Sequence, residues 1–250
     1  MAGRRPLIAG NWKMNETVEE ARALALGLRD AALPDDVDVV VCPPFTALQA
    51  VGEALHGSRI GLGAQNMHAE PSGAFTGEIS APMLRDLGVR WVILGHSERR
   101  RYFCETDQGV AHKVQCALHY GIVPIVAVGE TADEHAAGET VERVCAQTRA
   151  AFAGLGPALV GGCVVAYEPI WAIGTGNVDT PDSANGVMGA IRACVAGLEQ
   201  ARILYGGSMK PDNAAALTAE PNIDGGLIGG ASLAVGSFVA VIGAARRAAL

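Results

Sequence analysis

The stretch "PLIAGNWKMN", residues 6–15, separates the two folds open to this chain. It begins as an apolar run of strand length and passes at once into Asn11, Trp12 and Lys13. In an open doubly wound sheet built for a dinucleotide, the first strand would run into a glycine-rich turn. "GNWKMN" is not such a turn. What remains is a parallel sheet closed into a barrel, with polar residues placed where the strands end.

Working outward, similar runs recur along the chain: "VDVVVC" (37–42), "IGLGAQ" (60–65), "WVILGH" (91–96) and "IVPIVAVG" (122–129). "CVVAYE" (163–168), "ARILYG" (201–206) and "GGLIGG" (225–230) complete the set. Near-continuous Val, Ile and Leu is how strands buried on both faces read, as in a parallel sheet. Helical patterns lie between them. Thr17 with Glu20, and Thr131 with Glu134, make capping boxes, and Val18, Ala21, Ala25 and Leu28 share one face. Thr180 caps a helix with Pro181 at its first position, striped through Ala184, Val187, Ile191 and Val195. Segment 106–120 stripes through Val110, Val114 and Ala117 and stops at Gly121. Strand–helix alternation repeated eight times predicts an α/β fold, a single (β/α)8 barrel domain of eight parallel strands over residues 1–250.

Composition narrows the function. With 19 basic against 26 acidic residues the net charge is −7, and no basic run offers a surface to nucleic acid or anionic membranes. The six cysteines are scattered without a Cys-x-x-Cys pair, as expected for reduced thiols in a cytoplasmic protein. The start lacks the apolar core of a signal peptide, and no run approaches a membrane span of about 20 residues. No metal-ligand spacing and no cofactor fingerprint emerge, so neither a metal nor a cofactor is expected.

Strand ends point to Asn11, Lys13, His96, Glu168, "YGGS" (205–208) and "GGAS" (229–232). Taken singly, Glu168 would be a solvated carboxylate, His96 a capping histidine, Lys13 a surface lysine and the glycine pairs tight turns. Together they make a set. Apolar surroundings would push Glu168 toward the range of a general base. A short helix opening at His96 would keep its ring neutral, able to donate to a carbonyl. Bare N–H groups at the glycines, ahead of helices, would hold an anion such as a phosphate monoester. Base, neutral donor, lysine and phosphate cradle suit proton abstraction beside a carbonyl in a small phosphorylated substrate. "YEPIWAIGTG" (167–176) adds an apolar, glycine-punctuated loop after the base, whose Ile170, Trp171 and Ile173 have no evident burial partner. The long loop 66–80 reads as functional.

"GNWKMN", "AQNMH" with "SGAFTGE", "ILGHSERR", "YEPIWAIGTG", "YGGS" and "IGGASL", in order from about residue 6 to 246, resemble the triosephosphate isomerase family. The resemblance implies a TIM barrel that interconverts dihydroxyacetone phosphate and glyceraldehyde 3-phosphate through an enediolate. It implies that Glu168 moves the proton, that His96 and Asn11 polarise the carbonyl, and that Lys13 balances substrate charge with Glu98 as support beside it. Gly174, Ser208, Gly229 and Gly230 would donate N–H groups to the phosphate, and residues 170–176 would form a lid. Loop 66–80, with Phe75 and Thr76, would dock on a second subunit in an obligate homodimer. The chain departs from the family pattern at Ala127, where cysteine is usual, and at Asn177-Val178-Asp179, the far hinge of the lid. Arg101, where Glu is frequent, and Cys104, where Gly is frequent, depart from it too. None of these removes a reacting group.

Overall fold

The computed structural model describes residues 4–172 and 179–246. The strands are β1 (Leu7–Asn11), β2 (Asp38–Cys42), β3 (Gly61–Ala64) and β4 (Trp91–Leu94). They continue as β5 (Val123–Val128), β6 (Val164–Tyr167), β7 (Arg202–Tyr205) and β8 (Gly225–Ile228). All eight pair in parallel, in chain order, and β8 returns to β1 to close the barrel. Every expected strand is present.

The alternation of side chains across a strand explains the apolar runs. Leu7, Ala9, Val40, Cys42, Ile93, Ile125, Val164, Ala166, Leu204 and Leu227 point inward and pack as one cluster. Their neighbours Ile8, Val39, Val41, Val92, Leu94, Val126, Val165, Ile203 and Ile228 join a second cluster shared with the helices. Both faces of each strand are therefore dry beyond its first residue, and the two charged strand residues, Asp38 and Arg202, each first in its strand, pair with each other at 2.7 Å.

Between β1 and β2, helix Val18–Arg29 starts at the Thr17–Glu20 capping box, with Glu20 accepting from the Thr17 N–H at 2.8 Å. Its inner face is Ala21, Leu24, Ala25 and Leu28, while Val18 is exposed rather than part of the stripe. The Thr131–Glu134 box also forms, on the short helix Ala132–Ala136. Helix Asp107–His119 follows a Thr106 cap, and Gly121 turns the chain out with φ +66°. Helix Pro181–Cys194 follows Thr180 and buries Ala184, Met188 and Ile191; Val195 lies past its end in extended backbone.

The closing seam between β1 and β8 is pinned at its lower end. Asp224, fully buried just ahead of β8, receives Arg4 at 2.9 and 3.0 Å and Arg192 at 2.6 Å. Its Oδ2 also accepts the Ile203 N–H at 3.0 Å. Gly225 follows with φ +131°, and a Cβ there would lie 2.0 Å from the Leu7 carbonyl oxygen. The seam has room for glycine alone.

Candidate active site

The upper ends of the strands surround a cavity of about 780 Å³ lined by Asn11, Lys13, His96, Glu168, Gly206, Gly207, Ser208, Gly229 and Gly230. Of the expected strand-end stretches, Tyr205 and Ser232 do not line it, and Glu98, expected from the resemblance, stands beside Lys13. Gly174 lies outside the described residues, as do Ile173, Asn177 and Val178 of the expected lid and hinge.

Glu168 follows β6 and is 2 % exposed. Its main chain is fixed by the Glu168 N–H donating to Val128 O at 2.8 Å. Glycines clear its space: a Cβ on Gly129 would sit 2.0 Å from Glu168 O, and one on Gly206 would sit 2.9 Å from Glu168 Cγ. The carboxylate uses both oxygens, one 2.9 Å from His96 Nε2 and one accepting the Ser97 N–H at 2.8 Å.

His96 caps helix Ser97–Phe103, and its Nδ1 accepts the Glu98 N–H at 3.2 Å. With Nδ1 an acceptor, the ring proton sits on Nε2, toward Glu168. Electrostatics here differ from the sequence expectation. Burial works hardest against charge on Glu168, but His96, the Ser97 N–H and Lys13 together outweigh it and hold the carboxyl below its ordinary range. Burial likewise opposes the imidazolium, yet the charge of Glu168 against the ring leaves His96 above its ordinary value. The expected apolar base and helix-end control of the ring are thus overridden while the two groups touch.

Lys13 has φ +53°, a left-handed backbone that a residue with a Cβ seldom adopts. Three contacts keep it there. Asn11 Oδ1 accepts the Lys13 N–H at 3.1 Å, Lys13 Nζ donates to Glu98 Oε1 at 2.7 Å, and Gln65 Nε2 donates to Lys13 O at 2.8 Å. Gln65 also donates to Cys42 O at 2.9 Å, so it ties the lysine to β2. Gln65 is a further strand-end residue of the site, standing immediately after β3. Gln65→Ala is expected to lose roughly 3- to 10-fold in kcat/KM, the worth of one supporting hydrogen bond. Steady-state kinetics check this, and an unchanged kcat/KM would show that Lys13 holds itself.

The glycine turns differ in detail from expectation. "GGS" after β7 does not open a helix: residues 209–213 intervene before helix Ala214–Ala219. Asn213 braces the turn by donating to Ser208 O at 2.9 Å and accepting the Lys210 N–H at 2.7 Å. After β8, Gly230 opens the 3-10 turn Gly230–Leu233, and nothing lies within 4 Å of where its Cβ would be. Lys13 Cε comes 3.6 Å from the corresponding point on Gly229, so the lysine stem overlies this turn. A glycine turn and a cation therefore meet at one corner of the cavity.

Trp171 has a partner after all. Its Nε1 donates to Glu130 Oε1 at 2.7 Å, and its ring stacks on His135 with centroids 4.2 Å apart. The same Glu130 oxygen accepts from Tyr167 at 3.0 Å, and burial raises the Glu130 pKa. Asp179 is buried too, and burial raises its pKa as well. In loop 66–80, residues 71–78 are exposed. Phe75, 44 % exposed, leans on His68 of its own loop, centroids 4.1 Å apart, and Thr76 beside it is exposed.

No helix of the described residues is long and apolar enough to cross a membrane. The family model for triosephosphate isomerase matches residues 6–245. A triosephosphate isomerase of Rubrobacter xylanophilus is 52% identical over 255 residues, covering 98% of this chain and 100% of the relative. One from Symbiobacterium thermophilum is 53% identical over 252 residues, covering 98% of each. One from Chloroflexus aurantiacus is 51% identical over 249 residues, covering 96% and 98%. A barrel whose mouth joins Lys13, His96 and Glu168 to two glycine turns, matched along its length in this way, belongs to the triosephosphate isomerase family.

Proposed function

We propose that this isomerase interconverts dihydroxyacetone phosphate and glyceraldehyde 3-phosphate, in glycolysis and gluconeogenesis, with Glu168 as the base. The observation that carries the reading is the Glu168–His96 pair, 2.9 Å apart in the wall of a cavity that Lys13 and the glycine turns also line. The pair is parked. Both carboxylate oxygens are occupied, so neither can reach a carbon until the contacts to His96 and Ser97 part. A bound substrate carbonyl offers His96 Nε2–H a new acceptor and frees the carboxylate to turn to the adjacent carbon. Glu168 then takes a proton from one carbon and returns it to the next, while His96 and Asn11 stabilise the enediolate oxygens. Lys13 answers the substrate's charge, with Glu98 holding its ammonium. Ser208, Gly229, Gly230 and, on family grounds, Gly174 donate to the phosphate. No metal or cofactor has a step in this route.

The proposal includes a cytoplasmic homodimer. Met14, Phe45, Phe75, Tyr102 and Phe103 are exposed, and they lie on the segments that follow β1 to β4, which are neighbours around the barrel. An apolar set on one side of the mouth, next to Lys13, fits a second copy seated there. Loop 66–80 would reach that copy with Phe75 and Thr76. A coupled assay with glyceraldehyde 3-phosphate tests the activity, and sedimentation across a dilution series tests the assembly. Turnover is expected to fall in step with dimer dissociation. No turnover would sink the reaction, and a fully active monomer would sink the assembly.

A further inference from the structure

Cys145 and Cys194 are 49 positions apart in the chain, on helices Thr140–Ala151 and Pro181–Cys194. The fold brings them together. The Cys145 thiol points across to the second helix and lies 3.7 Å from Ala190 O, one turn before Cys194. The two helices pack against each other, which sets the Cys194 thiol within electrostatic reach of Cys145 and Arg149. Cys145 is buried and Cys194 is partly open to solvent. Cys194 is also the last residue of its helix, so its backbone can adjust without breaking a helical turn. The other cysteines differ. Cys42 and Cys163 are buried, Cys116 is partly open on helix Asp107–His119, and Cys104 is exposed at a left-handed helix end, φ +55°.

We propose that Cys145 and Cys194 are an oxidation site of this enzyme, a thiol pair that closes to an intramolecular disulfide and staples the two helices. The oxidant is a low-molecular-weight disulfide such as oxidised glutathione. Cys194, the accessible thiol, loses its proton and attacks one sulfur of the oxidant. This forms a mixed disulfide and releases one glutathione thiolate, which takes up the proton. Cys145 then loses its proton and attacks Cys194 Sγ, expelling the second glutathione as its thiol. Two protein thiols are oxidised and one glutathione disulfide is reduced to two thiols. Burial pushes the Cys194 thiol up to about 12, so little thiolate is present at neutral pH and the exchange is slow. The staple responds to sustained oxidation and not to brief exposure.

The functional pair Glu168 and His96 lies elsewhere, in the barrel mouth, so the cross-link should act on stability and leave kcat within about twofold. The test incubates the whole enzyme with excess oxidised glutathione at mildly alkaline pH, blocks remaining thiols, and maps the peptides by mass. The expected result is a peptide pair joined through Cys145 and Cys194, with Tm raised by roughly 5–10 °C, as for a loop of about 50 residues closed in a chain of this size. Cys145→Ala should leave Cys194 as a lasting glutathione adduct without the rise in Tm, which distinguishes the staple from general thiol modification. A wild-type enzyme that shows only glutathione adducts, or no modification at Cys194, overturns the site. A joined pair with Tm unchanged or lowered overturns the staple.

Discussion

Glu168→Gln is expected to lower kcat by roughly 10²–10⁴-fold, the range that general-base catalysis supplies. The amide has nearly the shape of the carboxylate and keeps an oxygen for the Ser97 N–H that Glu168 now accepts at 2.8 Å. It fits the space cleared by Gly129 and Gly206, but its NH2 faces the His96 Nε2–H, a donor against a donor, so Tm should fall by a few degrees while the fold is kept. What it cannot do is take a proton from carbon. Kinetics and thermal unfolding on the same preparations decide the matter, and a Gln enzyme with normal kcat removes Glu168 as the base. The wild-type pH profile adds a second reading of the same residue. In the free enzyme the carboxyl sits below its ordinary range, so it stays ionised as pH falls, and the acid limb of kcat/KM should lie under the usual glutamate value of about 4.3. In the complex, His96 and Ser97 have let go while burial remains, and burial alone raises a carboxyl. The acid limb of kcat should therefore stand at higher pH than that of kcat/KM.

At the other end of the barrel, Asp224→Ala is expected to cost about 3–5 kcal/mol of stability, the penalty for removing one partner of a buried ion pair. Arg192 would keep its charge with a side chain only 11% exposed, and the Ile203 N–H would lose its acceptor. Arg4 would lose two hydrogen bonds at the place where the first and last strands meet. Urea unfolding should show a large fall in midpoint, and KM measured well below that midpoint should stay within about twofold, since the mouth is a strand length away. A midpoint that does not move would mean the seam is held by strand pairing and packing alone. The contrast between the two variants separates the chemistry of the upper rim from the closure of the lower one.

Much of this was legible in the residues. Eight dry strands announce themselves because both faces are buried, and "PLIAGNWKMN" excludes the open sheet because it lacks the turn a dinucleotide needs. Caps at Thr17, Thr131 and Thr180 were readable because they are local, satisfied by groups three residues away. What stayed hidden was tertiary. Nothing local pairs Gln65 with Lys13, across 52 positions, or Glu130 with Trp171, across 41. The charge state of Glu168 was hidden for the same reason. Its apolar strand was visible, but His96 and the Ser97 N–H, which lower its pKa, arrive from another strand end. Val18 and Val195 show the opposite error, apolar residues on a helical stripe that the fold leaves outside the helix interior.

The filled interior of the barrel carries a consequence for traffic. Leu7, Val40, Ile93, Ile125, Val164 and Leu204 plug the axis, so among the described residues the centre is solid and not a tunnel. Whatever enters the cavity must leave by the opening it came through. Substrate and product then exclude each other, because one cannot arrive until the other has gone. The protein therefore cannot favour one direction by giving the two compounds separate doors. A compound lodged at the opening should compete equally with either triose phosphate, and the direction of net conversion is left to their relative concentrations outside.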